Sequence, residues 1–371
     1  MDIGYFLKLM KEKHASDMFL STGAPVSIKV EGKIFPLGKA GLPGGMVKKI
    51  AYSLMDEGDV PEFERELELN LAISIKDAGR FRVNVFKQRG EVGMVIRAIQ
   101  SDIPAIEELY LPPLLHEMVM ESRGLLLVVG ATGSGKSTTL ASMIDYRNAN
   151  SSGHILTIED PIEFLHKHKR SIVNQREIGI DTHQYSKALR SALREAPDVL
   201  LIGEIRDTET MEAALTFAET GHLVLATLHS NNADQTMDRV LNFFPEALHK
   251  QVLQNLSLNL RGIVSQRLVM TKEGKRRAAV EILVNTPMIR DMIRRGEIAD
   301  LKEAMEKSLD AGMQTFDQAL YELYNDGVIE LDEALQKADS RDGLQLKVKF
   351  SEGGEAPEAA FSDDLYDPSS F

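Results

Sequence analysis

The middle of the chain alternates between short, purely apolar runs and longer amphipathic stretches. Four runs show no alternation of apolar and polar positions, and they cover residues 125–129, 155–158, 199–202 and 223–226. Strands without alternation are covered on both faces, which is typical of a parallel sheet packed between helices. This part of the chain therefore predicts a three-layer α/β domain with a mostly parallel sheet.

The first hundred residues follow a different pattern. Apolar positions at helical spacing predict a helix near residues 3–10. Alternating segments then predict strands at 25–30, 33–37, 69–75, 81–86 and 94–99, with turns at 31–32 and 77–79. Alternation leaves a sheet with one polar face, so we expect a small α+β domain over residues 1–100.

The positions of prolines and the local composition suggest the remaining domain boundaries. Residues 101–113 are interrupted by prolines and predict a linker, followed by a second domain over 114–349 whose last part is helical. One helix is expected from about residue 298 to 309, ending at Gly312, and Thr315 with Gln318 predicts a capping box for the next. Residues 350–371 predict an acidic, disordered tail, which either only solvates the terminus or serves as a docking peptide.

Composition excludes several classes of protein. The 371 residues include no cysteine, which excludes disulfides and thiolate zinc sites. The net charge of −13 argues against nucleic acid as the main ligand. Because the N-terminus lacks a secretory pattern and no apolar run approaches ~18 residues, we expect a cytoplasmic protein without direct membrane insertion.

A phosphate-binding loop directly follows the first apolar run. Residues 130–137 read Gly-Ala-Thr-Gly-Ser-Gly-Lys-Ser, the P-loop pattern at the start of a predicted helix. Lys136 is expected to reach the β and γ phosphates of ATP, and the hydroxyl of Ser137 to bind Mg²⁺. The predicted nucleotide-binding residues are Gly130, Ala131, Thr132, Gly133, Ser134, Gly135, Lys136, Ser137 and Thr138.

Polar residues follow the other three apolar runs, and the carboxyl ends of parallel strands meet at one edge of a sheet. We interpret Glu163 as the base that activates water and Glu204 as the residue that organises water and metal, with the reverse assignment left open. Gly203 stands where many P-loop enzymes have a metal-binding Asp. His229 is a candidate sensor of the γ phosphate. His222, at the other end of the same run, is either a second functional histidine or a brace for a subunit contact, and the sequence does not separate these roles.

Positive charge for the transition state has no obvious source in the second domain. The first domain offers arginines on predicted strands and turns, namely Arg80, Arg82, Arg89 and Arg97. Arg82 and Arg97 are our candidates for catalytic arginines that act across a subunit interface. The alternative is that these side chains form a solvated sheet face.

Four segments together carry a family resemblance. GATGSGKST (130–138), ILTIEDPIEF (155–164), DVLLIGEIRD (198–207) and ETGHLVLATLHSN (219–231) resemble the Walker A, Asp, Walker B and His boxes of secretion ATPases. Residues 15–17 and 312–320 further resemble the PilT/PilU family of type IV pilus retraction ATPases.

The resemblance implies more than the residues alone do. It implies a PAS-like domain joined to a RecA-like ATPase domain, a homo-hexamer, and ATP hydrolysis that supports pilus retraction and twitching motility. Residues 288–297 only partly keep a segment of the main retraction motor, which implies the accessory, PilU-like branch. That branch implies action with a PilT-type ATPase on the platform protein PilC, at the inner-membrane base of the pilus machine.

Three alternatives differ in their sequence requirements. A pilus assembly or type II secretion ATPase usually carries a four-cysteine zinc module, which this chain lacks. A GTPase would need the guanine-reading Asn-Lys-x-Asp, and a small-molecule kinase would not need the second acidic box. A nucleotide-binding, non-catalytic regulator of the ring stays open.

Overall fold

The computed structural model describes residues 3–76 and 78–351. Its first part is a six-stranded antiparallel sheet in the order β3-β2-β1-β6-β5-β4. The strands are β1 (Asp17–Leu20), β2 (Ser27–Val30), β3 (Lys33–Pro36), β4 (Glu68–Ile75), β5 (Gly79–Gln88) and β6 (Glu91–Ala98). The accompanying helices are α1 (Ile3–Glu12), α2 (Met46–Tyr52) and α3 (Asp59–Glu66).

The alternating segments of this part fold as predicted, with one polar face. Along β5 the buried residues Phe81, Val83 and Val85 alternate with partly exposed ones. Strand β1 and helices α2 and α3 were not predicted, because four residues are too short for a visible alternation and the two helices are only one or two turns long. Of the predicted turn at 77–79, Asp77 lies outside the described residues.

The second sheet has seven strands in the order β13-β12-β7-β11-β10-β8-β9. They are β7 (Gly124–Val129), β8 (His154–Glu159), β9 (Ile172–Glu177), β10 (Val199–Ile202), β11 (Leu223–Leu228), β12 (Leu260–Met270) and β13 (Arg276–Val284). Strands β7 to β12 pair in parallel, and β13 is an antiparallel edge strand. Strand β9 and the β12–β13 hairpin were not predicted, and the hairpin lies in a region expected to be helical.

Helices cover this sheet on both faces, so the predicted three-layer arrangement is confirmed. Residues of β7 alternate between the two sides: Leu126 and Val128 pack with α4 and α5, whereas Leu125 and Leu127 pack with α6 to α11. The ranges are α4 (Leu114–Met120), α5 (Lys136–Asn150), α6 (Tyr185–Ala192), α7 (Thr208–Glu219), α8 (Ala233–Asn242), α9 (His249–Asn259), α10 (Pro287–Arg295) and α11 (Leu301–Glu306).

The chain continues with three helices packed on the β12–β13 hairpin, namely α12 (Phe316–Asn325), α13 (Leu331–Lys337) and α14 (Arg341–Ser351). The capping box of Thr315 and Gln318 is confirmed. The helix expected over 298–309 is shorter, since α11 covers Leu301–Glu306 and a 3₁₀ turn precedes Gly312. Helix α14 includes the first two positions of the predicted tail, and the remainder of the tail lies outside the described residues.

In the described part of the chain, no helix combines the length and the apolar character needed to cross a membrane.

Candidate functional site

The loop between β7 and α5 packs closely against Gln266 of β12. Gly135 precedes the helix with φ +93°, in the left-handed region that favours glycine. A Cβ on Gly135 would lie 2.9 Å from Nε2 of Gln266, and a Cβ on Gly130 would lie 2.5 Å from the carbonyl oxygen of Gln266. Close packing against β12 therefore requires glycine at both positions. No local pattern indicates a role for Gln266, because this contact joins residues far apart in the chain.

The amino group of Lys136 is buried inside this loop. It donates hydrogen bonds to the carbonyl oxygens of Gly130 at 2.9 Å and Ala131 at 3.0 Å. Burial lowers the pKa of Lys136, while the carboxylates of Glu204 and Glu163 raise it. A phosphate would therefore be a stronger partner for this cation than the two neutral carbonyl groups.

A second polar group in the loop also suits an anion. The hydroxyl of Ser134 is buried and has no hydrogen-bond partner among the described residues. Such orphaned groups are rare in folded proteins and often await a ligand. Ser137 and Thr138 lie half-buried on the first turn of α5, at its positive end. The loop therefore fits the phosphates of a nucleotide.

The loop forms one wall of a cleft of about 200 Å³ at the carboxyl edge of the second sheet. Adjacent parallel strands β7, β11, β10 and β8 all end here, so the prediction that their polar ends meet is confirmed. The cleft is also lined by Glu159, Asp160, Glu163, Glu204, Thr227 and His229.

Glu204 is held on both sides of its carboxylate. Its Oε1 lies 3.1 Å from Nε2 of His229, and its Oε2 lies 2.7 Å from Nη2 of Arg206. Arg206 also lies 3.3 Å from Oδ2 of Asp160. These contacts fix Glu204 relative to three strand ends. Arg206 was not among the predicted site residues, although it stands two residues after Glu204.

Gly203 is explained by packing at the end of β10. A Cβ here would lie 2.9 Å from the hydroxyl of Tyr185 and 3.0 Å from Cα of Glu159. The hydroxyl of Thr227 donates to the carbonyl oxygen of Gly203 at 2.5 Å, which ties β11 to β10. The close approach of neighbouring chain segments therefore leaves no space for an Asp at this position.

Glu163 differs from Glu204 in its surroundings. It is exposed and lines the cleft, and among the described residues its carboxylate has no hydrogen-bond or ion-pair partner. Its backbone is held from the first part of the chain: the amide of Gln100 donates to the carbonyl of Glu163 at 3.3 Å, and the amide of Leu165 donates to Gln100 at 2.8 Å. Glu163 is thus positioned through its backbone while its carboxylate stays available.

Glu159, the last residue of β8, lines the cleft. Burial raises its pKa to about 7, partly opposed by hydrogen bonds from Thr157 at 2.6 Å and Gln175 at 3.2 Å. A carboxyl group with this pKa changes charge near neutral pH. His222, in contrast, lies at the other end of β11, where its Nδ1 is 3.1 Å from the carbonyl oxygen of Phe217.

The two candidate arginines make contacts outside the cleft. Nη1 of Arg82 lies 3.7 Å from Oε1 of the buried Glu177, and Nε of Arg97 donates to Asp17 at 2.7 Å. Both line a larger cleft of about 1150 Å³ between the two parts of the chain. None of the described residues that line the cleft of Lys136 is an arginine.

Residues 3–76 and 78–351 contain no group of three or more His, Asp or Glu side chains arranged to hold a metal ion. Ser137 and Glu204, the predicted magnesium ligands, line the same cleft.

Comparisons with known proteins identify the family. Residues 55–286 match the type II/IV secretion system protein family. The type IV pilus ATPase PilU of Pseudomonas aeruginosa is 50% identical, over 96% of this chain and 94% of that protein. The type IV pilus retraction ATPase PilT of the same organism is 44% identical, over 91% of this chain and 98% of that protein.

A solved structure agrees with these relatives. The crystal structure of the pilus retraction motor PilT with bound ADP matches with a TM-score of 0.87 and 43% identity, over 93% of this chain and 99% of that one. The chain is therefore a nucleotide-binding ATPase. It belongs to the type II/IV secretion system family and, within it, to the PilT/PilU family of type IV pilus ATPases that take part in twitching or retraction.

Proposed function

We propose that this chain is a hexameric ATP-hydrolysing motor that supports type IV pilus retraction together with a PilT-type ATPase. The observation that carries the proposal is the cleft in which Lys136, Glu163, Glu204 and His229 meet at four adjacent strand ends. Its chemistry suits hydrolysis of the bond between the β and γ phosphates of ATP.

Each residue has a definite task in this mechanism. Residues 130–138 cradle the phosphates, and Lys136 neutralises the β and γ oxygens. Glu163 accepts the proton of the attacking water because its carboxylate is unpaired among the described residues. Glu204, fixed by Arg206, orients water and His229 near the γ phosphate. When bound, Mg²⁺ would be held by Ser137 and by Glu204 through water, and it would stabilise charge on the phosphates.

Phosphoryl transfer is accelerated by an arginine that stabilises charge in the transition state. No arginine lines the cleft of Lys136 within the described chain, whereas Arg82 and Arg97 line the wider cleft beside Glu163. We propose that these two arginines act on the nucleotide of a neighbouring subunit, as cationic groups supplied in trans do in other nucleotide hydrolases. A ring of six subunits, as the resemblance implies, would then complete every site.

The two sheets agree with the domain types implied by the resemblance. We assign the antiparallel sheet of residues 1–100 to a PAS-like domain and the parallel sheet of residues 114–349 to a RecA-like domain, joined by residues 101–113. The proposed location is cytoplasmic, peripheral at the inner-membrane base of the pilus machine, with PilC as the platform partner.

Two other functions make different predictions. A pilus assembly or type II secretion ATPase would use the same cleft to extend fibres, and a non-catalytic regulator would bind ATP without hydrolysing it. The presence of two acidic residues, Glu163 and Glu204, in one cleft favours hydrolysis of ATP over binding alone.

Phosphate release by the purified full-length protein tests the catalytic part of the proposal. The wild type should hydrolyse ATP, while the rates of phosphate release by Lys136→Ala and Glu204→Gln should fall to background. Equal background rates in all three proteins would reject a motor. Light scattering of the same preparations should give the mass of six subunits in the presence of ATP, and a stable monomer would contradict the ring.

The direction of work needs a cellular assay. Strains lacking this protein, its PilT-type partner or both should be compared for twitching and for surface pili. Loss of retraction leaves extended fibres, so we expect excess pili, most strongly in the double mutant. Cells without pili would instead indicate an assembly ATPase.

A further inference from the structure

Two consecutive residues of β12 contact two different elements of the nucleotide site. Gln266 is buried, and its Oε1 accepts a hydrogen bond of 2.8 Å from the hydroxyl of Thr139 on α5. The same side chain lies behind Gly135, where an added Cβ would be 2.9 Å from its Nε2. Gln266 therefore supports the first turn of α5 and the phosphate loop from behind.

Arg267 contacts the loop that follows His229. Its Nη2 donates to the carbonyl oxygen of Asn231 at 3.3 Å. Its Nη1 donates to the carbonyl oxygen of Lys337 at 2.6 Å, at the end of α13, and its guanidinium stacks 3.9 Å from the ring centroid of Phe316. One side chain thus joins the His229 loop to the C-terminal helices.

Asp339 strengthens this junction. It forms ion pairs with Arg267 and, at 3.2 Å, with Lys302 of α11. Its Oδ2 accepts a longer bond of 3.4 Å from Asn232, the residue that caps α8 directly after the His229 loop. Its backbone amide donates to Asp317 of α12 at 2.8 Å. Charge pairs held in this way by several partners resist small displacements.

We propose that Gln266 and Arg267 are positioning residues for the nucleotide site. Gln266 holds the phosphate loop in the position that binds ATP, and so affects the affinity for ATP. Arg267 holds the His229 loop in position, and so affects the rate of hydrolysis. Because Arg267 is bonded to Lys337 and paired with Asp339, a movement of the C-terminal helices reaches the His229 loop through Arg267. The inference rests on the proposed nucleotide site, but not on the hexamer or on retraction.

The Gln266 contact is tested by a double-mutant cycle. Gln266→Met and Thr139→Val remove the hydrogen bond from either side with little change in volume. Each should weaken ATP binding by about 5- to 20-fold, the effect typical of one buried hydrogen bond. The double variant should bind ATP no more weakly than the weaker-binding single variant. Thr139→Ser, which keeps the hydroxyl, should bind ATP with the affinity of the wild type.

The Arg267 contact should give a different kinetic signature. Arg267→Met and Asp339→Asn should each lower kcat by about 5- to 20-fold while the Kd for ATP stays within about twofold. Arg267→Lys keeps the positive charge but not the two hydrogen bonds that the guanidinium donates to Asn231 and Lys337. Its kcat should therefore lie between that of the wild type and those of Arg267→Met and Asp339→Asn.

Arg277→Met is the matched control. Arg277 lies on the same β-hairpin and also stacks on an aromatic ring, at 4.5 Å from the centroid of Tyr110, but it is on β13 and contacts neither loop. Its substitution should leave kcat and Kd unchanged.

Each outcome decides the proposal. Arg267 and Gln266 variants that only lower the melting temperature, with kcat and Kd per folded protein equal to those of the wild type, would overturn it and leave the residues with a structural role. A shared loss of kcat in the Arg277 control would overturn it as well. If the wild type itself released no phosphate, the proposed function would fail, which is a separate result.

Discussion

Glu204 and His229 lie 3.1 Å apart, between Oε1 of the carboxylate and Nε2 of the imidazole. They stand at the ends of β10 and β11, which are neighbours in the sheet although 25 positions separate the two residues. The contact fixes the imidazole ring beside Thr227 and orients it toward the cleft of Lys136.

Glu204→Gln should reduce ATP hydrolysis strongly while preserving nucleotide binding. A neutral amide loses the charge that pairs with Arg206, and we expect kcat to fall by about 10²–10³, with the Kd for ATP within a few-fold. Phosphate release and fluorescent-nucleotide titration measure the two effects. The exposed Glu209→Gln is the control, and a wild-type rate for Glu204→Gln would remove this residue from the mechanism.

Glu163→Gln distinguishes the two candidate bases. If the unpaired carboxylate of Glu163 receives the proton of water, its amide should reduce kcat by about 10²–10⁴ without raising the Kd for ATP. Rates for Glu163→Gln and Glu204→Gln should be compared on one preparation series. A smaller loss for Glu163→Gln than for Glu204→Gln would support the reverse assignment of roles.

Gly203→Ala should destabilise the protein by about 1–3 kcal/mol, because the added methyl group would overlap Tyr185 and the backbone of Glu159. Urea denaturation measures the free energy of unfolding. Gly58→Ala is a matched control, since Gly58 has φ −79° and its Cβ would meet no atom within 4 Å. Equal stabilities of the two variants would contradict the packing argument.

The contribution of Glu281 to stability should fall as the pH rises from about 4.5 to 7, against the opposite contribution of His166, whose pKa burial lowers to about 4. Burial raises the pKa of Glu281 to about 7, with Asp339 and Asp234 raising it further, so the folded protein binds more protons than the unfolded chain in this window. Glu281→Gln should flatten this dependence and be more stable than the wild type at pH 8 by about 1–3 kcal/mol.

Denaturation curves between pH 5 and 8 measure this effect, and Glu57→Gln, at an exposed position, is the control. Part of the slope should persist in Glu281→Gln, because burial also raises the pKa of Glu159 to about 7 and that of Asp234 to about 6. A variant with the same slope and stability as the wild type would rule out a role of Glu281.

Mixing inactive variants tests whether Arg82 and Arg97 act between subunits. Lys136→Ala keeps both arginines, and the Arg82→Ala/Arg97→Ala double variant keeps the phosphate loop. Each alone should be inactive, whereas mixed rings should regain about a quarter or less of the wild-type rate, because some sites then combine an intact loop with an intact neighbour. Lys136→Ala mixed with Glu204→Gln is the control and should regain nothing, because Lys136 and Glu204 of each site come from the same subunit.

Much of the site was accessible from the sequence because each part is local. The P-loop at 130–137, the unalternating runs and the carboxylates that follow them occupy adjacent positions, so strand, turn and helix could be predicted together. The same local logic predicted the capping box of Thr315. It failed for β12 and β13, where a long hairpin follows helical segments and its apolar positions resemble a buried helix.

The sequence by itself determined which residues meet at the sheet edge, since parallel strands must end on the same side. Only the tertiary structure decided that Gln266 supports the phosphate loop, that Arg206 fixes Glu204, and that Gly203 has no space for a side chain. The contacts of Gln266 and Gly203 join separate segments, and their distances depend on register and strand order rather than on spacing along the chain. Arg206 is only two residues from Glu204, but its second partner, Asp160, lies at the end of another strand.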